Sequence, residues 1–449
     1  MRQTGLMARL TFCAAGLPLC AAGLPTRRAH GASAQPGARP VGRAAAPRAG
    51  PALPAAIALC AAAALALAGC WGGPADDGED DAADGASFEA APWPMFHGRP
   101  DLAGAAPGRL PRKLTLRWRF QADGAIKSAA AIDPAPLDAS GRDARVFVGS
   151  SDCHVYALAL ADGRKLWAYK TAGGVEAAPL VLEGAVYVGS NDGVLYALDA
   201  ATGTLRWEYE TGGQIPGGAN WARSPQGDRT WILVGSYDML LHCLDAGTGQ
   251  VVWTHETGNY INGTPAVGGG RIVFGGCDAL VHILSAADGS PVATVGTDAY
   301  VAGSAALADG RIFVANYQGR FFCIDLETQR ILWHYGDDES PFYSSPAVGP
   351  RQVVIGCGDN KVHCIDRGSG RSLWTFATRG NVDSSPAICG NRVVVGSGDG
   401  RLYVLRLSDG RQAWSYEVGQ PVTASPAVSG GWVVVGGEDG AVYAFGPEP

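Results

Sequence analysis

The sequence predicts an all-β fold, an eight-bladed β-propeller of four-stranded antiparallel blades, from three observations. A phrase of about 22 residues recurs eight times with a period near 40, starting at Val146, Val186, Trp231, Ile272, Ile312, Val353, Val393 and Val433. Within each unit the runs are five to seven residues long, rich in Val, Tyr, Ile and Trp, and bounded by Gly, Asp, Asn and Thr, as expected of short strands joined by tight turns. The last unit ends at Phe445 without an outer strand, and a solitary segment upstream, Leu114 to Phe120, has the composition to supply it.

The unit is clearest at Val186 to Trp207, V-Y-V-G-S-N-D-G-V-L-Y-A-L-D-A-A-T-G-T-L-R-W. Asp192-Gly193 and Thr202-Gly203 place turn residues after the first and second of its strands, and the S-S-P-A-V type run before each unit (Ser345-Pro346, Ser385-Pro386, Ser425-Pro426) adds an inner strand. A four-stranded sheet cannot bury both faces alone, whereas eight around an axis bury them against one another. Closure through Trp118 removes the free edge that invites aggregation. The tryptophan ending the unit recurs at Trp167, Trp207, Trp253, Trp333, Trp374 and Trp414, and Ala293 in that slot predicts a soft seam.

Gly189 to Trp207 resembles the PQQ-like (quinoprotein-type) propeller repeat, G-S-x-D-G-x-L-Y-A-L-D-x-x-T-G-x-x-x-W, over roughly residues 93–446, and Trp93-Pro94-Met95-Phe96 is similar to the opening segment of such proteins. Size and blade number resemble the BamB-type lipoprotein scaffolds of outer-membrane assembly. The resemblance implies a propeller that either holds pyrroloquinoline quinone or serves as a scaffold, so the site must decide. A quinoprotein dehydrogenase of this family implies calcium held by carboxylate and amide oxygens, an Asp base, a ring stacked on the quinone and often a Cys-Cys disulfide. Here there is no Cys-Cys, the segment aligned with the calcium-bearing loop reads Ser190-Asn191-Asp192-Gly193, and no cofactor is expected.

Residues 1–69 read as a leader. Leu67-Ala68-Gly69-Cys70 is a lipobox behind an apolar Ala/Leu stretch with Arg43 and Arg48 upstream, so cleavage and lipidation at Cys70 are expected, with Val41 an alternative translation start. Residues 70–92 form an acidic tether holding the propeller, 93–446, off the bilayer. By family convention, Trp71 after the lipidated cysteine implies the periplasmic side of the outer membrane. The leader carries seven Arg and no acid, so removing it takes the net charge from −7 to −14. With only five lysines the chain offers no basic stripe, and nucleic acid is excluded as an expected partner.

Cys243, Cys323 and Cys364 fall in the slot of Ala197 and read as small buried hydrophobes. His242-Cys243 and His363-Cys364 look like ligand pairs, but neighbours on a strand point to opposite faces, and His242, His282 and His363 occupy a slot held elsewhere by tyrosine. Asp152, Asp192, Asp238, Asp278, Asp359, Asp399 and Asp439 precede turns and read as turn chemistry, so no metal is expected.

Two sets of residues are candidates for recognition. Register across the inner strands aligns Lys127, Glu176, Pro216, Asn262, Ala302, Tyr343, Asp383 and Thr423 around the axis, unlike one another where repeats are otherwise alike. Two insertions between first and second strands, at Asp133 to Arg145 and Trp221 to Arg229, flank the second unit and carry Arg142, Arg145, Trp221, Arg223 and Arg229, residue types that anchor interfaces. The expectation is a monomeric, lipid-anchored, non-catalytic scaffold for another envelope protein, with the barrel-assembly machinery as the family's partner. The alternatives are a PQQ- and calcium-dependent oxidoreductase, or a small-molecule or glycan binder in the axial funnel.

Overall fold

The computed structural model describes residues 92–133 and 144–448, all strand, turn and loop, without a helix. Eight sheets of four antiparallel strands follow one another around an axis, which we number blades 1 to 8. Blade 1 comprises Ala131–Ile132, Arg145–Ser150, His154–Ala159 and Lys165–Lys170 from the axis outward, and blades 2 to 7 repeat that order. Blade 8 takes Ala427–Ser429, Trp432–Gly436 and Ala441–Gly446 from the C-terminal end and Thr115–Gln121 from the N-terminal side. Trp118 pairs with Ala444, and its indole Nε1 donates to Leu160 O of blade 1 at 2.6 Å, so the closing strand also ties the two ends of the ring together.

The cores lie between neighbouring blades. Phe147, Val155 and Ala157 of blade 1 pack on Val186, Val188, Tyr196 and Leu198 of blade 2, and equivalent apolar layers fill the other seams. Close approach of one blade to the next dictates the glycine of the V-x-V-G phrase, since a Cβ at Gly189 would overlap the side chain of Ile215. Cys243, Cys323 and Cys364 are fully buried, and all seven described cysteines are free thiols.

The outer-strand tryptophans are buried to different degrees. Trp118 is buried, whereas Trp167, Trp207, Trp253, Trp333 and Trp374 are half-buried, each lying flat on the turn glycine of the following blade. That glycine has positive φ at Gly203, beneath Trp167, where the ring leaves no room for a Cβ. Blade 4 has Ala293 instead, and the facing turn of blade 5 has Gln329, at φ 58°, where its counterparts have glycine. The two exceptions answer each other.

A further element was not legible in the repeats. Residues 93–106 run as a strap past the inner strands of blade after blade, on the side bearing the turns between first and second strands. The backbone N–H groups of Ile132, Val181, Val267, Leu307, Val348 and Ile388 donate to the carbonyls of Trp93, Pro94, Pro100, Asp101, Ala103 and Gly104 at 2.7–2.8 Å. Asn220 of blade 3 reaches Pro100 O with its side chain at 2.8 Å. Ala105–Ala106 then adds in parallel to blade 7. Blades 1 to 7 are laced at one end of the axis before the chain enters blade 8.

Candidate functional site

The axial funnel begins with the inner-strand serines. Ser304, Ser345, Ser385 and Ser425 each accept, at 2.8–3.0 Å, the backbone N–H of the equivalent residue one blade earlier, so the hydroxyls link blades 4 to 8 around the axis. Above them, Lys127, Glu176, Pro216, Asn262, Ala302 and Tyr343 line a cavity of about 170 Å³, with Phe96 of the strap also in its wall, stacked on His97 at 4.3 Å. Asp383 and Thr423 hold the equivalent positions of blades 7 and 8.

The wall has two characters. Blades 3 to 5 carry stacked tyrosine pairs next to it, Tyr237 with Tyr260 at 4.8 Å and Tyr300 with Tyr317 at 4.3 Å, and Tyr317 meets the lining residue Tyr343 of blade 6 edge-on at 5.5 Å. Across blades 7, 8, 1 and 2 the groups are charged or polar: Asp383, Glu438 hydrogen-bonded by Thr423 at 2.9 Å, and Lys127 3.5 Å from Glu176. Asp383 Oδ1 is buried without a hydrogen-bond partner, and desolvation, aided by the charge of Glu438, pushes its pKa up to about 6. Sequence register found the lining positions but missed the tyrosines and Glu438. These lie two residues before the lining (Tyr260, Tyr300) and directly after Ser236, Asn316 and Gly437 of the second hairpin (Tyr237, Tyr317, Glu438), columns whose variation is as large.

Pyrroloquinoline quinone is a tricarboxylate, and a pocket for it needs cations and amides at the wall. Among the described lining residues Lys127 is the one cation, and it is matched by Glu176; Asp383 and Glu438, on the neighbouring blades 7 and 8, add negative charge nearby. These residues do not suit the quinone.

The second candidate surface lies on the strap side. The blade 3 insertion is an extension of its first hairpin, Asn220–Arg223 paired with Thr230–Gly235. The Arg223 guanidinium lies 5.7 Å from the Trp221 ring, 3.1 Å from Glu183 of blade 2 and 2.8 Å from Thr230 Oγ1. Arg229, 69 % exposed, lies 3.8 Å from Asp245. Arg145 departs from the expectation of an outward anchor: it pairs with Asp133, donates to Ala200 O of blade 2 at 2.7 Å and lies over Phe147, so it fastens blade 1 to blade 2. Arg142 and Cys70 lie outside the described residues. Around the same face, at the starts of the outer strands of blades 2 to 6, Leu205, Val251, Val252, Val292, Ile331, Leu332 and Leu373 are exposed. Single exposed apolar residues are ordinary, but a series recurring blade after blade on the same face as an aromatic and arginine-bearing hairpin is the composition of an interface.

The turn aspartates are structural anchors. Asp192, for example, accepts from Val194 N, Gly173 N and the Tyr196 hydroxyl at 2.9–3.0 Å, which joins its own hairpin to the connection between blades 1 and 2. His242, His282 and His363 replace that tyrosine and face the same aspartate at 2.9–3.1 Å.

Comparison with known proteins agrees with this architecture. BamB from Moraxella catarrhalis is similar at 22 % identity and a TM-score of 0.61, covering 75 % of this chain and 98 % of that one. A quinohemoprotein alcohol dehydrogenase from Comamonas testosteroni is similar at 14 % identity and a TM-score of 0.66, covering 80 % and 82 %. The computationally designed protein Ika8 gives 19 %, 0.62, 73 % and 98 %. These likenesses establish the fold alone, and no curated protein matches the sequence. The profile of one family, described as outer membrane protein assembly factor BamB, matches residues 115–230, 218–292, 277–360 and 358–448. The chain, a closed ring of PQQ-like repeats, therefore belongs to the BamB family.

Proposed function

We propose that this protein is a non-catalytic scaffold of the cell envelope, anchored through Cys70 to the outer membrane, that docks a component of the barrel-assembly machinery on its strap-side face. The observation that carries the reading is the extended hairpin of blade 3, which sets Trp221 and Arg223 against each other on the face that also bears the exposed apolar series of blades 2 to 6. A planar guanidinium on an aromatic ring is pre-organised, so little side-chain entropy is lost when a partner covers it. The rigid ring supplies a fixed frame, and the funnel's charge gives no support to quinone chemistry.

The test is capture of the full-length, membrane-extracted protein with its partner. Trp221→Ala combined with Arg223→Ala is expected to lower recovery of the barrel-assembly protein about tenfold or more, the effect of losing one hot spot. The melting temperature, measured in parallel, shows that the variant stays folded at the capture temperature, since Trp221 also packs on the core and Arg223 on Glu183 and Thr230. Unchanged recovery would contradict the reading.

A second reading, recognition of a small molecule in the funnel, is favoured by the division of its wall into a tyrosine arc and a carboxylate arc. Stacking on one side and hydrogen bonding on the other suit a sugar-sized ligand.

A further inference from the structure

The hairpin between the second and third strands of blade 6 combines two residues that none of its seven counterparts combines. After the glycine near the end of the second strand, other blades carry Ser150, Ser190, Ser236, Gly276, Asn316, Ser397 and Gly437, and blade 6 carries Cys357. In the third strand His363 replaces the tyrosine of blades 1, 2, 7 and 8, while the turn aspartate, Asp359, is kept. Blades 3 and 4 also have the histidine and aspartate, but face them with Ser236 and Gly276. Among the described residues, a thiol, a carboxylate and an imidazole meet with ligand atoms all within 4.8 Å of one another in blade 6 alone.

We propose that Cys357, Asp359 and His363 form a binding site for one Zn²⁺ ion. The donor set, one sulfur, one oxygen and one nitrogen, suits this borderline-soft cation and does not suit Ca²⁺ or Mg²⁺. Tetrahedral zinc places neighbouring donors roughly 3.3–3.6 Å apart, given its bond lengths. Asp359 Oδ1 and His363 Nε2 are already 3.1 Å apart, and the thiol needs to approach by about an ångström, within reach of a side-chain adjustment.

The surroundings orient the donors. The Tyr335 hydroxyl, from the outer strand of blade 5, lies 2.8 Å from His363 Nδ1 and turns Nε2 toward Asp359, the outer-shell arrangement that metal-bound imidazoles use. Lys361 Nζ holds Asp359 Oδ2 at 2.8 Å, and the Lys361 backbone N–H donates to Oδ1 at 3.0 Å, which leaves Oδ1 its second lone pair for the ion. A cleft of about 370 Å³, lined also by His334, Asp337, Ser340 and Phe342, opens beside the three donors, giving a path for the ion and a fourth position for water. Binding releases the thiol proton to solvent and leaves a thiolate and a carboxylate to balance the dication.

The test titrates cobalt(II), a spectroscopic stand-in for zinc, into the chelator-treated full chain. One equivalent is expected to bind, giving a near-ultraviolet thiolate-to-cobalt charge-transfer band and visible bands of tetrahedral intensity, both bleached by one equivalent of Zn²⁺. Cys357→Ser should abolish the charge-transfer band, and His363→Tyr should weaken binding at least tenfold. Both restore residues that other blades carry at these positions, and an unchanged melting temperature in the absence of metal confirms that each variant folds. Cys277→Ser is expected to leave the band in place. Absence of stoichiometric binding, a band that survives in Cys357→Ser, or a band lost in Cys277→Ser would overturn the assignment.

Discussion

Asp383 shows how a residue in a repeat scaffold can be held against its own preference. Its Oδ1 is buried without a donor, and Glu438 opposes the charged form, so its pKa rises to about 6 where an exposed aspartate titrates near 4. The folded state therefore binds more protons than the unfolded chain between those values, and this group's contribution to stability falls as pH rises from about 4 to about 6. The other charged groups on this stretch of the wall are Glu438, Lys127 and Glu176, of which Lys127 and Glu176 pair with each other. Asp383→Asn removes the titration. It should stabilise the protein at pH 7 by up to about 3 kcal/mol, with the gain shrinking toward zero near pH 4. Thermal melts of both proteins across that range check it, and a gain that does not depend on pH would contradict the account. The alignment of repeats located Asp383, but not its burial, because the charge of Glu438 comes from a hairpin of the next blade and no local pattern joins the two.

At the scale of elements, the seam between blades 4 and 5 makes the packing rule visible through its exception. In six seams an indole lies on a turn glycine, and at the seam of blades 7 and 8 Trp414 meets Phe445 edge-on at 5.2 Å, whereas here Ala293 takes the indole's place and the glycine's is held by Gln329, at positive φ with its side chain donating to Leu326 O at 3.2 Å. Ala293→Trp alone should fail to stabilise, since the new ring meets the Gln329 side chain. Ala293→Trp combined with Gln329→Gly should exceed the sum of the single changes by about 1 kcal/mol or more, measured as a double-mutant cycle in denaturant. Additive effects would mean that the tryptophan stack contributes little to the seam. Strand order, blade number and closure through Trp118 were legible in the sequence because each follows from a repeat of fixed length with one unit incomplete. The strap was not. Its contacts are backbone carbonyls, spaced by the ring rather than by any side-chain pattern, and Trp93 to Phe96 signalled only that something precedes the repeats.

For the molecule as a whole, the ring is asymmetric along its axis. One side carries the strap, the blade 3 hairpin and the exposed apolar series, and the other carries the turn aspartates and the tyrosines of the funnel. Lacing blades 1 to 7 with one segment and closing blade 8 with the next makes a single rigid frame, on which Trp221 and Arg223 keep their positions without a partner. The extended hairpin of blade 3 was legible in the sequence by its length against the period. Arg145 was misjudged for an outward anchor because its partners, Asp133 and Ala200 O, are set by the seam between blades 1 and 2. The most direct measurement is site-specific photo-crosslinking in intact cells, with the reactive residue placed at Trp221 or Val252 on one side and at Glu438 on the other. The account predicts a crosslink to the barrel-assembly protein from the first two positions and none from the third. Equal crosslinking from both sides, or crosslinking from Glu438 alone, would contradict it.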